Sequence, residues 1–378
     1  MHSYFMNSSP AQRVVAASLW RRCRRDGASQ QSLTVYGAAR LSLLSLCVVA
    51  LAAGCDGAVG PDVVALRGST MGTSYSVQLA EAPASLDKDA LQRRIDLLLA
   101  EVNGLMSTYQ PDSELSRFNA NPSTDWVPVS AELARLVVEA QTIGKASGDA
   151  FDVTVGPLVN LWGFGPEVKA DELPSQAAID AALVRTGHAK LQARLDPPAL
   201  RKQQPDLYLD LSAIAKGYGV DRVAELLAEA GIANALVEIG GELYGHGHNG
   251  RGEPWRIAVE KPDPLARRVF RVVPLLDRGM ATSGDYRNFF ELDGRRYSHT
   301  IDPTTGRPVT HALASVTVLG ESTARADAWA TALLVLGPER GFALAQGLGL
   351  AALLIERDGD ALLARSTDAF DTVVGEGS

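Results

Sequence analysis

After residue 62, the apolar residues of this 378-residue chain keep switching between two spacings. That alternation limits the fold more than any single motif does. A spacing of two marks a strand half buried in a sheet, and a spacing of three and four marks a helix with one buried face. Residues 63–80, VVALRGSTMGTSYSVQLA, alternate around a Gly-containing centre as a β-hairpin would. Residues 86–109 then carry Leu91, Ile95, Leu98 and Val102 at helical spacing behind an Asp cap, and 130–148 form a second helix stopped at Gly148. A strand starts at Ala150 and breaks into a Gly/Pro/Asn loop holding Trp162 and Phe164. A helix over 175–187, a strand over 206–212 and a helix to about Gly231 follow. Strands over 234–240, 255–260, 269–276 and 314–319, helices over 321–336 and 338–346, and a strand over 350–356 close the pattern. The fold class is α/β (α+β), with enough strands for a two-layer sandwich.

The segment before this alternation is of another kind. Residues 41–53, LSLLSLCVVALAA, are uncharged and follow Arg40 and the basic RRCRR at 21–25. Thirteen helical residues rise about 20 Å, short for a bilayer span. They read as the apolar core of a secretory signal peptide. The preceding segment is long for a leader, which points to a later start of translation. LAAGC then resembles a bacterial lipobox, with residues 1–54 removed and Cys55 lipid-modified. Residues 55–62 form a short tether, and 63–375 form the folded body. Asp56, directly after the cysteine, matches a signal for retention in the inner membrane, facing the periplasm.

Cys23 and Cys47 both lie in the leader, so the body has no thiol for a disulfide or for thiolate catalysis. The whole chain carries a net charge of −8; without residues 1–54, 30 basic residues face 43 acidic ones, or −13. Such a surface excludes nucleic acid as the expected partner, and an anionic ligand would need backbone donors or a metal.

Three stretches carry candidate chemistry. DLSAIAKGYGVDRVAELL, 210–227, sets Asp, Lys and two glycines around a helix entrance that needs one cap. Ser212 as N-cap would account for the turn; a ligand brought close to the backbone would account for the small residues. In STARADAWATALLVLG, 322–337, Asp327 and Thr331 project from one helix face, a hard-oxygen pair suited to Mg²⁺ or, as an exposed polar face, to water. In SHTIDPTTGRP, 298–308, His299 has the chemistry of a general base or of a hydrogen-bonder in an Asp-Pro turn. His246 and His248 sit among glycines and read as loop residues rather than a metal pair. There is no Walker-type phosphate loop, no Gly-x-Ser-x-Gly and no His-Glu-x-x-His.

Seven blocks, in order, resemble the ApbE family of FAD:protein FMN transferases: GSTMGTSY, MSTYQPDSELSRFN, AFDVTVGPLVNLWGFG, DLSAIAKGYGVD, ALVEIGGELYGHG, YSHTIDPTTGRPV and ADAWATAL. The resemblance spans nearly all of the chain after Cys55. It implies a two-layer fold related to T-fold domains. It implies transfer of FMN from FAD to a Thr or Ser hydroxyl of an acceptor protein, with release of AMP. It assigns FAD contacts to Met71, Tyr109, Ala150, Phe151, Asp152, Asp210, Lys216 and Ile301. Mg²⁺ or Mn²⁺ would be held by the Ala213 carbonyl, Asp327 and Thr331. Lys216 departs from relatives with Glu there. His299 and Asp327 are the catalytic candidates. Implied acceptors are flavoprotein subunits of membrane-bound redox pumps, such as Na⁺-translocating NADH:quinone reductase or RNF complexes. An FAD pyrophosphatase and a non-enzymatic flavin-binding lipoprotein are the alternatives.

Overall fold

The computed structural model describes residues 63–166, 172–263, 268–286, 288–292, 294–359 and 361–376. The leader, Cys55 and the tether lie outside the described residues. No helix among those described is long and apolar enough to cross a membrane.

An eight-stranded antiparallel sheet organises the body, and each strand pairs with its neighbour in chain order. Its strands are β1 (Val64–Thr70), β2 (Thr73–Leu79), β3 (Ala235–Ile239) and β4 (Glu242–His246), then β5 (Arg278–Gly284), β6 (Leu313–Gly320), β7 (Ala351–Asp358) and β8 (Ala361–Ser366). The helices are α1 (Lys88–Met106), α2 (Glu114–Ala120), α3 (Ala131–Ala146) and α4 (Gly156–Leu161), then α5 (Gln176–Val184), α6 (Ser212–Glu229), α7 (Thr323–Gly347) and α8 (Asp368–Glu376).

The apolar stripes of α1, α6 and α7 pack on one sheet face, where Leu99, Val220 and Leu333 are fully buried beside Val237 and Val316. The other face is covered by the strand pair Trp255–Glu260 and Val269–Leu275 and by α8, whose Phe370 is buried against Ile355. The central strand β6 is therefore buried on both faces.

The predicted caps are present. Asp87 accepts from Ala90 N at 2.9 Å to start α1, and Gly148 follows α3 at φ +63°. The expected break between two late helices is a kink inside α7, where Gly337 takes φ 80° and Pro338 follows.

Three expectations are corrected. Residues 150–155 do not form a strand, because the Asp152 carboxylate takes the Thr154 N–H at 2.7 Å and the His188 N–H at 2.9 Å and folds the segment into a turn. The loop after it contains the short α4. Residues 206–212 do not form a strand: they pair with no neighbouring strand, and the Asn119 side chain instead both accepts from Leu209 N and donates to Leu209 O, each at 2.8 Å. Their alternation survives in the burial of Leu207, Leu209 and Leu211. Ser212 is the first residue of α6 rather than its cap, and Asp210 Oδ1 accepts from Ser212 N at 2.8 Å.

Helices α6 and α7 touch where Gly217 has no side chain. A Cβ there would lie 2.4 Å from the Thr323 carbonyl oxygen, whereas one at Gly104 in α1 would meet nothing within 4 Å. Alanine should gain about 1 kcal/mol in helix propensity at either glycine. At Gly217 the obstacle is main chain, so a net loss of about 1–3 kcal/mol is expected. Urea unfolding of Gly217→Ala and Gly104→Ala should shift the midpoint in opposite directions.

Candidate active site

The predicted residues converge on the N-terminal half of α6. Met71 lies in the β1–β2 turn with φ 49°, a left-handed conformation that costs a non-glycine residue about 1 kcal/mol or more. A Cβ placed on Gly219 of α6 would come within 2.8 Å of Met71 Cε, so the hairpin tip rests on that helix. Asp210 N donates to Val153 O at 2.7 Å, which ties the turn after Asp152 to the entrance of α6. Tyr109 is 65% exposed, and burial and the nearby Asp210 charge raise its pKa. Its ring is therefore open to stack on a ligand.

The two expected metal residues on α7 are each bonded to a neighbouring element. Gly217 N donates to Asp327 Oδ2 at 3.1 Å. Gly217 is four residues after Ala213, so the N–H that helix periodicity directs at the Ala213 carbonyl is engaged by the α7 carboxylate. One turn along α7, Thr331 Oγ1 lies 3.0 Å from Ser283 Oγ on β5. Asp221, a turn further along α6, accepts from Ser322 Oγ at 2.8 Å, Thr323 N at 2.8 Å and Ala324 N at 3.0 Å.

Around Asp327 stands a charge cluster that the sequence reading did not contain. Lys216 Nζ lies 2.5 Å from Glu242 Oε1; the Lys216 side chain is 32% exposed and that of Glu242 is 3%. The other oxygen, Glu242 Oε2, is buried with no hydrogen-bond partner. Burial pushes the Asp327 carboxyl above its ordinary value, opposed by Lys216 and the Gly217 N–H. Glu242 is pushed up to about 8 by burial and the Asp327 charge, against the pull of Lys216. Burial lowers the Lys216 ammonium, but the Asp327 and Glu242 carboxylates outweigh it and hold its pKa above the ordinary value. The ammonium is bonded to Glu242 and attracted by Asp327, and one Glu242 oxygen is orphaned. The hard oxygens of the Asp327 carboxylate, the Thr331 hydroxyl and the Ala213 carbonyl are a donor set that fits Mg²⁺ or Mn²⁺.

His299 Nδ1 lies 2.9 Å from the Asn288 carbonyl oxygen, which can only accept. The ring proton therefore sits on Nδ1, and Nε2 carries the lone pair. Burial holds the ring below the ordinary histidine value, with Lys216 adding to the effect and the Asn288 contact opposing it, so the ring is neutral at neutral pH.

Other predicted residues have buried or occupied side chains. Phe151 and Ile301 are core residues, 3% and 5% exposed, and Ala150 is buried too. Both Asp152 oxygens are occupied by Thr154 and His188. A cavity of about 210 Å³ opens between this segment and Pro303–Thr304. His246 pairs with Asp277 at 2.9 Å.

A model of the ApbE family matches residues 71–354. The chain belongs to the ApbE family. A relative from Vibrio cholerae serotype O1, named FAD:protein FMN transferase, is 47% identical over 328 residues, covering 87% of this chain and 97% of its own. The solved flavin transferase ApbE from Vibrio cholerae superposes with a TM-score of 0.77 at 46% identity, over 82% of this chain and 99% of that one. The apo form of the Pseudomonas stutzeri flavinyl transferase ApbE gives 0.76 at 43%, over 84% and 98%. These ApbE likenesses bear out the α/β class.

Glu242 makes the site's charge visible in stability. A carboxyl with a raised folded-state pKa holds more protons folded than unfolded between the two values, so stability falls as pH rises through that window. For Glu242 the window runs from 4.5 to about 8. In metal-free protein, the melting temperature of Glu242→Gln should fall less steeply across it than that of the parent. Equal slopes would show that Glu242 does not titrate there.

Proposed function

We propose that this ApbE-family protein is an FAD:protein FMN transferase, moving FMN from FAD to a Thr or Ser hydroxyl of an acceptor protein. The observation that carries the reading is the buried Asp327 carboxylate seated on Gly217, beside Lys216, in a chain whose relatives bear that name. The acceptor oxygen forms a bond to the FMN phosphorus, the diphosphate bond breaks, and AMP leaves with the bridging oxygen. The acceptor's proton goes to His299 Nε2, the free lone pair of a ring whose other nitrogen is anchored. Tyr109 stacks on a ring of FAD, and Asp210 accepts from a nucleotide hydroxyl or N–H. Lys216 faces the diphosphate.

The Ala213 carbonyl, Asp327 and Thr331 would hold Mg²⁺ or Mn²⁺. Bound there, the ion supplies positive charge against the diphosphate and the departing AMP. Cys55 carries a lipid that anchors the body at the periplasmic side of the inner membrane. The acceptors are flavoprotein subunits of NADH:quinone reductase or RNF-type complexes in that membrane.

Incubation with FAD, Mg²⁺ and an acceptor subunit should add the mass of FMN to a Thr or Ser; free FMN without adduct would indicate hydrolysis instead. Asp327→Ala should lower the transfer rate by about 10²–10³, and parental rates at limiting Mg²⁺ would remove the metal assignment. His299→Asn should abolish the acidic limb of the pH–rate profile, which lies below the ordinary histidine value because the ring's pKa is lowered. A limb unchanged in the variant would make His299 a turn residue only.

A further inference from the structure

Lys216 lies in the second turn of α6 with its side chain partly exposed. Its stem passes the β3–β4 turn, where a Cβ on Gly240 would lie 3.4 Å from Lys216 Cδ and 2.8 Å from Thr73 Cγ2. That turn is itself fixed, with Gly240 and Gly241 at φ 59° and 106° and Gly241 N donating to Glu238 Oε1 at 2.9 Å. Beyond the stem, the ammonium is taken by Glu242 at 2.5 Å, although the Asp327 carboxylate also attracts it. The cation therefore has two anionic neighbours and makes its hydrogen bond to the one that is not a candidate metal ligand.

We propose that Glu242 is a positioning residue that holds the Lys216 ammonium off Asp327, so that the Asp327 carboxylate stays open to a divalent cation while Lys216 faces the cleft. The inference rests on the functional reading above and adds a residue to it. Without the Glu242 charge, the strongest partner left for Lys216 is Asp327. An ammonium bonded to that carboxylate occupies the oxygens a cation needs and adds like-charge repulsion. Glu242 Oε2, buried and unpartnered, marks a carboxylate placed for its charge rather than for a full set of hydrogen bonds.

The test is calorimetric titration of Mg²⁺ into the full mature chain above pH 8, where the Glu242 carboxyl is ionised, with thermal melts to verify folding. Glu242→Gln should weaken Mg²⁺ binding on the order of tenfold. Adding Lys216→Met to it should restore affinity to within about threefold of the parent, since the competing cation is gone. Unchanged affinity in Glu242→Gln would overturn the proposal. Equal weakening in the single and double variants would also overturn it, because Glu242 would then be a metal ligand in its own right. Should the single variant not fold, the double variant decides alone: near-parental affinity supports positioning, and lost affinity refutes it. A parent chain that binds no Mg²⁺ would instead bring down the functional reading, and this inference with it.

Discussion

Two aspartates, Asp327 buried and Asp221 half-buried, bind α6 and α7 to each other in opposite senses. Asp221 of α6 takes the first N–H groups of α7, and Asp327 of α7 takes an N–H from the second turn of α6. Each carboxylate is desolvated, and burial raises the pKa of both. For Asp221 the cost is met by backbone donors that the start of α7 leaves unpaired in any case; for Asp327 it is offset by the Gly217 N–H and the Lys216 charge. Gly217 completes the clasp, because its missing side chain lets the two backbones approach closely enough for those bonds to form. Removing any of the three would move a helix rather than a side chain.

The sheet then sets where that clasp can act. Glu242 begins β4, Ser283 lies near the end of β5 and Met71 occupies the β1–β2 turn, so three places along one sheet deliver groups toward the same pair of helices. The kink at Gly337 separates the half of α7 that bears Asp327 and Thr331 from the half that follows it. His311 fills the space beside that kink, where a Cβ on Gly337 would lie 2.8 Å from its ring.

Much of this was legible in the sequence, and the failures have physical causes. The long helices were readable because their buried faces repeat at 3.6 residues and their ends carry Asp, Ser and Gly. The central strand β5 was missed because Arg278-Gly-Met-Ala-Thr-Ser-Gly has two glycines and no apolar alternation; its place is decided by β4 and β6 on either side. The Leu191–Leu195 and Pro198–Lys202 hairpin and the closing β8 and α8 also escaped, being short elements stabilised by what they pack on. In the candidate site, Asp210, Lys216, Asp327 and Thr331 stood in motifs that the sequence shows directly. Glu242 was missed, because a carboxylate after two glycines reads as a turn residue. Only the approach of β4 to α6, 26 positions apart in the chain, makes it the partner of Lys216.

The charge distribution explains why the site needs this local order. The chain carries −8 overall, so its long-range field repels a dinucleotide diphosphate. Attraction has to arise within about one Debye length, roughly 8–10 Å, from fixed groups. Lys216 is a single cation standing beside the carboxyl groups of Glu242 and Asp327, so it cannot supply that attraction alone. A divalent cation held by Asp327, as proposed, would set positive charge against the diphosphate where the acidic surface offers little.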